Sequence, residues 1–186
     1  MGIKGRPNEN ANSGICDVKA ESGINLTLIF TFHESFWQSS KTQTFISMIR
    51  IELTQFSPLE SSILKIRFNV FVAEQGVEPS LEVDGRDPEC VHAIAYDENL
   101  PIGTGRLLPD GHIGRMAVLK EYRSTGIGQK ILLKLVEAAR ERGWKKVELS
   151  SQIQAFDFYE KFGFKRLGEV YIEAGIDHVD MRLDLE

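Results

Sequence analysis

Between Gly114 and Gly128 the sequence reads as strand, loop and helix, and the loop carries Arg123, Gly126 and Gly128. Glycine lets backbone N–H groups come close to a ligand. The unpaired N–H groups of a first helical turn, together with the helix dipole, favour an anion there. Arg123 adds a fixed positive charge with planar donors. A diphosphate is the guest that suits this chemistry. The spacing excludes a Walker A loop, because no Gly-x4-Gly-Lys-[Ser/Thr] occurs in the chain. It also excludes a dinucleotide fingerprint, which needs a third glycine and another strand order. Taken alone, Gly-x-Gly is equally a loop that needs flexible residues. The other residues able to do chemistry are scattered. Tyr159 shares a helical stripe with Ile153, Phe156 and Phe162, and spacing alone makes it a core aromatic. His178, in the last hairpin, is a titratable imidazole that could serve as a base or be a structural strand residue. His92 and His112 read as strand surface. No set of His, Cys and carboxylates has metal-ligand spacing, so no metal is expected.

The elements that must position these groups are regular from Met48 onward. Ile49 to Leu53 alternates as a strand. Ser57-Pro58-Leu59-Glu60 predicts a helix start, with Ser57 as N-cap, Pro58 in the first turn and Glu60 closing a capping box. Leu59, Ile63, Ile66 and Val70 recur at helical spacing, and a loop with Gly76, Pro79, Gly85 and Pro88 follows. Val91–Tyr96 and Ile102–Leu108 form a hairpin around Asp97-Glu98-Asn99, and Asp110-Gly111 turns into a strand over His112–Val118. Gly126–Arg142 is an amphipathic helix with Ile131, Leu132, Leu135, Val136 and Ala139 on one face, ended by Gly143. A short strand over Lys146–Leu149 and a further helix ended by Gly163 come next. The last hairpin turns at Glu173-Ala174-Gly175, with Val179, Met181, Leu183 and Leu185 on one face. The order β-α-β-β-β-α-β-α-β-β predicts an α+β (or α/β) domain over residues 48–186, a mixed sheet with helices on its faces. Residues 1–47 are polar and aperiodic and are expected to be a disordered N-terminal extension, with one short strand or helix over Leu26–Trp37. Met48 is a candidate alternative start.

Arg123-x-x-Gly126-x-Gly128 after a Val-containing strand resembles motif A of the GNAT acetyltransferases. Ala155-Phe156-Asp157-Phe158-Tyr159-Glu160-Lys161-Phe162-Gly163-Phe164 resembles their motif B. The resemblance covers Met48 to Glu186. Three further runs, Arg67–Gln75, Glu82–Asp87 and Glu169–His178, are similar to the ElaA/YjcF-like branch of that family. The resemblance implies the acyl-CoA N-acyltransferase fold. It also implies an acetyl-CoA-dependent N-acetyltransferase that moves an acyl group to a primary amine by direct attack in a ternary complex.

Carried onto this sequence, the resemblance has the amides of Arg123, Ser124, Thr125, Gly126, Ile127 and Gly128 grip the pyrophosphate of coenzyme A. Met116, Ala117 and Val118 would offer backbone hydrogen bonds to the pantetheine arm and acyl group. Gln152, where many members carry Asn, would also contact the cofactor. Tyr159 would lie near the thioester sulfur as general acid. Acceptor recognition would follow the first helix, where Glu74, Glu82, Asp84 and Asp87 stand. Of these, Glu74 joins His178 as a candidate base, Glu82 and Asp84 are candidates to hold the amine, and Gln75 reads as polar surface. Arg67 and the Val-Phe-Val-Ala-Glu-Gln run also resemble acyl-homoserine-lactone synthases, which use S-adenosylmethionine and lack a clear glycine loop of this kind. A non-catalytic acyl-CoA sensor would keep Gly126 and Gly128 without needing Tyr159.

The bulk composition narrows the partners. The net charge of −5, from 22 basic and 27 acidic residues in 186, argues against nucleic acid and is compatible with a cationic substrate. Cys16 and Cys90 give neither a disulfide framework nor a zinc spacing, and a reducing cytoplasm is the expected compartment. The apolar stretch Leu26–Phe32 is far too short to span a bilayer, and the first residues lack the apolar core of a signal peptide. A small-molecule or peptide amine is the expected partner. A homodimer would form through the C-terminal strand Val179–Leu185 if that strand is a sheet edge.

Overall fold

The computed structural model describes residues 48–185. The expectations for residues 1–47 lie outside the described residues. Strands β1 (Ile49–Thr54), β2 (Val91–Asp97), β3 (Leu100–Leu107) and β4 (Ile113–Val118) pair antiparallel in chain order. Strands β5 (Lys146–Gln152), β6 (Lys165–Glu173) and β7 (Ile176–Asp184) form a second antiparallel sheet in the order β5-β7-β6. The two sheets meet at an isolated parallel bridge between His112 and Glu148, next to a 3.1 Å hydrogen bond from the Glu148 amide to the Gly111 carbonyl. The mixed sheet expected from the element order takes the form of two antiparallel sheets joined at one corner by that parallel bridge. Beyond that corner β4 and β5 pair with no other strand along their facing edges among the described residues, and between these residues the edges are open.

The helices flank this frame. Helix α1 (Phe56–Arg67) runs into a π-helical turn over Phe68–Glu74, and a short α2 (Pro79–Glu82) follows. Helix α3 covers Ile127–Glu141 and α4 Phe156–Glu160. The capping box does not form. The N-cap is Gln55, with no side-chain cap hydrogen bond, and Leu59 leaves helical geometry at φ −126°. The expected helix over Ile153–Phe162 is shorter, because Ile153–Ala155 is a 3₁₀ turn.

The core lies where α3 packs on the first sheet. Ile131, Leu132, Leu135, Val136 and Ala139 are buried against Ala93, Ala95, Ile102 and Leu107. Gly103 and Gly105 make that close approach possible. A Cβ on Gly105 would stand 2.5 Å from Met116 Sδ and 3.0 Å from Ile131 Cγ2. Val179, Met181 and Leu185 are buried as their alternation predicts. Strand β7 lies between β5 and β6, however, so it is not a free edge, and the expected dimer through Val179–Leu185 loses its basis. The alternation reports a buried face and carries no information on which strand closes the sheet.

Candidate active site

The glycine loop is built as an anion cradle. A 3₁₀ turn over Lys120–Tyr122 leads into extended Arg123, Ser124 at φ 62° and Gly126 at φ 84°, which is the N-cap of α3. The positive φ is what requires glycine at residue 126. At Gly128 an added Cβ would meet Phe158 Cζ at an ordinary 3.7 Å, so its demand is for backbone access rather than for a special φ. Helical pairing begins only with the Lys130 amide on the Gly126 carbonyl, at 3.1 Å. The amides of Ser124, Thr125, Gly126, Ile127 and Gly128 donate to no acceptor among the described residues. The Thr125 hydroxyl closes the loop by donating to the Tyr122 carbonyl at 2.6 Å. Arg123 donates through Nε to the Val118 carbonyl at 2.9 Å and through Nη2 to Glu74 Oε2 at 2.7 Å. A row of free amides beside an arginine suits the pyrophosphate of coenzyme A.

The open edges of β4 and β5 frame a cleft of about 570 Å³. Met116 lines it from β4, Ser150 and Gln152 from β5, Tyr159 from α4, and Glu173, Ile176 and His178 from the last hairpin. Ala117 is buried and Val118 half-buried, so it is the backbone of this strand edge, rather than their side chains, that is accessible from the cleft side. Tyr159 is 9% exposed, and its hydroxyl has no hydrogen-bond partner among the described residues. Burial pushes its pKa up to about 12, so it stays a phenol and a proton donor at neutral pH. His178 is equally buried, and its Nδ1 donates to the Ile176 carbonyl at 2.8 Å. That bond puts the proton on Nδ1 and leaves the Nε2 lone pair as the basic atom. The Gln152 amide donates to Gln75 Oε1 at 2.9 Å and accepts from Gln154 at 2.7 Å. Gln75 is thus a cleft residue tied to Gln152 rather than surface.

A buried ionic network closes the other wall. Arg67, 1% exposed, donates to the Glu82 carboxylate through Nε and to Asp87 Oδ1 through Nη1 at 2.7 Å. Arg106 reaches Asp87 at 2.8 Å and chelates Asp84, and Arg115 pairs with Glu82 at 3.0 Å and Asp84 at 3.4 Å. Hydrogen bonding from Arg106 holds the Asp84 carboxyl well below the usual range. Glu82 is 2% exposed, and both carboxylates expected to hold the amine are occupied by arginines. Glu74 likewise faces Arg123 rather than the cleft, which leaves His178 as the candidate base in contact with it.

Two histidines depart from their sequence reading. His92 is not strand surface: it is 1% exposed, hydrogen-bonded to the Asp87 carbonyl at 3.1 Å and packed on Phe56. It sits on an inward position of a strand covered on both faces, where alternation gives no signal. His112 lines the cleft, and burial pulls its pKa down.

Residues 63–185 match the family model described as the acetyltransferase (GNAT) domain. The chain belongs to the GNAT family. It is 39% identical to the N-acetyltransferase YjcF of Bacillus subtilis over 123 residues, 64% of this chain and 88% of that protein. The fold is that of an acyl-CoA N-acyltransferase from Pseudomonas aeruginosa (TM-score 0.64, 31% identity, 72% of this chain and 98% of that one). Escherichia coli ElaA is similarly close (TM-score 0.65, 28% identity, 72% and 98%). This GNAT protein is accordingly an acyltransferase drawing on acyl-CoA. Among the described residues no group of His, Cys, Asp and Glu is placed to hold a metal, and no helix is long and apolar enough to cross a membrane.

Proposed function

We propose that the protein transfers an acetyl group from acetyl-CoA to a primary amine by direct attack within a ternary complex, with Tyr159 as general acid and His178 as base. The observation that carries this reading is the pairing of unpartnered groups in one cleft. Tyr159 and His178 are each nine-tenths buried and line the same space, and the Tyr159 hydroxyl and His178 Nε2 are hydrogen-bonded to no described residue. The free amides from Ser124 to Gly128 would hold the pyrophosphate, and the open β4 edge from Met116 to Val118 the pantetheine arm. Bound there, acetyl-CoA supplies an activated acyl group.

An alkylammonium with a pKa near 10.4 is about one part in a thousand neutral near pH 7.4, a barrier of roughly 4 kcal/mol. His178 Nε2 accepts the proton, directly or through water, and the Ile176 carbonyl holds the ring in the tautomer that can do so. Tyr159 gives its proton to the leaving thiolate. Holding both reactants in one cleft supplies much of the remaining acceleration.

Tyr159→Phe tests the assignment. We expect kcat to fall about 10²-fold or more, with the melting-point shift caused by acetyl-CoA retained. The loss should be uniform across about pH 6 to 10, since the raised pKa keeps Tyr159 protonated over that whole range. Unchanged turnover in the variant would remove Tyr159 from the chemistry. A wild-type protein that binds acetyl-CoA and acylates no amine would be a sensor. One whose melting point moves with S-adenosylmethionine and with neither acetyl-CoA nor CoA would point to synthase chemistry.

A further inference from the structure

The ionised side chains lining the cleft divide by wall. On one side Glu82, Asp84, Arg106 and Arg115 pair among themselves and with Arg67 and Asp87, and Arg86 pairs with Asp110 at 2.9 Å. Those arginines and carboxylates neutralise one another. The opposite wall is a face of the β5-β7-β6 sheet. The register sets His178 beside Gln152 and Tyr171, Asp180 beside Ser150, and Ile176 beside Glu173. Cross-strand partners share a face, so these side chains stand together. Asp180 is satisfied by the Ser150 hydroxyl at 2.9 Å and the Tyr171 hydroxyl at 2.8 Å. Glu173 lines the cleft, and its side chain makes neither an ion pair nor a hydrogen bond with any described residue. It is exposed and ends β6 where Ala174 (φ 49°) and Gly175 (φ 79°) turn the chain.

The position of Glu173 decides what it would meet. A carboxylate beside the reacting nitrogen would hold the proton on that nitrogen and oppose attack. Glu173 is exposed, whereas Tyr159 and His178, which line the same cleft, are buried. We propose that Glu173 binds a second, non-reacting cationic group of the acceptor, so that the preferred acceptor is a diamine with one nitrogen at Tyr159 and His178 and the other protonated at the hairpin tip. This rests on the acetyl-transfer reading above and adds the substrate class to it.

The test compares putrescine with butylamine, which has the same carbon chain and lacks the second ammonium. Wild type should prefer putrescine. Glu173→Gln should raise the KM for putrescine about five- to tenfold, the loss expected of one partly exposed charge-assisted contact, and leave its kcat and the butylamine kinetics in place. Glu173→Asp should recover part of that loss. Equal use of the two amines by wild type, or an equal loss for both in the variant, would overturn the assignment of Glu173 while leaving acetyl transfer standing. Melting-point titration with putrescine gives a readout independent of turnover. A shift present in wild type and absent in Glu173→Gln supports the site even if no amine is acetylated, in which case the catalytic reading fails and the binding site does not. No shift in wild type, or an equal shift in both proteins, counts against the site.

Discussion

Arg67 and Tyr159 look alike in one respect: helical spacing places each on an inward stripe, and each is a polar group where an apolar one would pack. Their environments separate them. Tyr159 lacks a partner because it faces a cleft, whereas Arg67 donates to Glu82 and Asp87, 15 and 20 residues away in the chain. Removing one member of a buried charge network leaves the others uncompensated. Arg67→Met should therefore destabilise the protein by about 3–5 kcal/mol in a denaturant titration. A loss of under ~1 kcal/mol would mean that water or rearranged partners replace the guanidinium. Spacing alone encodes neither fate. The family likeness made Glu82 and Asp84 candidates to hold the amine, and in the folded chain the two carboxylates pair with arginines. What decided this was distance across the fold, which a run of residues does not encode. Gly126 was legible for the opposite reason, since its role depends only on local backbone geometry.

At the scale of elements, patterns with a period were recovered and contacts between elements were not. All five residues of the α3 stripe are buried, and Ile127 and Ala138 join them on the buried face. The alternation of β7 predicted its buried side but left its place between β5 and β6 unseen, because ladder order depends on partners chosen from elsewhere in the chain. The joint between α3 and β3 gives a direct test of how closely these elements must pack. A methyl group on Gly105 would press on Met116 Sδ and Ile131 Cγ2, and Met116 lines the cleft. Gly105→Ala should cost about 1–3 kcal/mol by overpacking. It should also raise the KM for acetyl-CoA, because Met116 lies on the open strand edge assigned to the pantetheine arm. A variant as stable as wild type with unaltered KM would show that the methionine yields freely and that the spacing of α3 on the sheet does not set the cleft.

Across the whole molecule, the buried titratable groups give stability a definite pH dependence. Burial pulls His92 and His112 below the ordinary value of 6.5, in spite of the nearby carboxylates that act the other way. Both are therefore neutral in the fold at pH values where the unfolded chain has begun to take up protons. Stability from this source is complete above about pH 6.5 and is lost as pH falls toward the folded-state values. The carboxylates act lower down. Hydrogen bonds from Arg106 depress Asp84, burial opposes but the bonds from Arg67 and Arg106 outweigh it at Asp87, and Lys146 and Arg182 depress Glu148. Their stabilisation is intact above the unfolded carboxylate range near pH 4 and disappears only below it. The melting temperature should thus fall in two stages on acidification, the first beginning below about pH 6.5 and the second below about pH 4. His92→Gln can keep a donor toward the Asp87 carbonyl and has no proton to gain. It should lower stability at pH 8, where the packing on Phe56 is lost, yet flatten the first stage. A first stage equally steep in the variant would assign that limb to His112 alone. A wild-type melting temperature that stays flat from pH 7.5 to 5 would show that both imidazoles reach solvent far more readily than their burial implies.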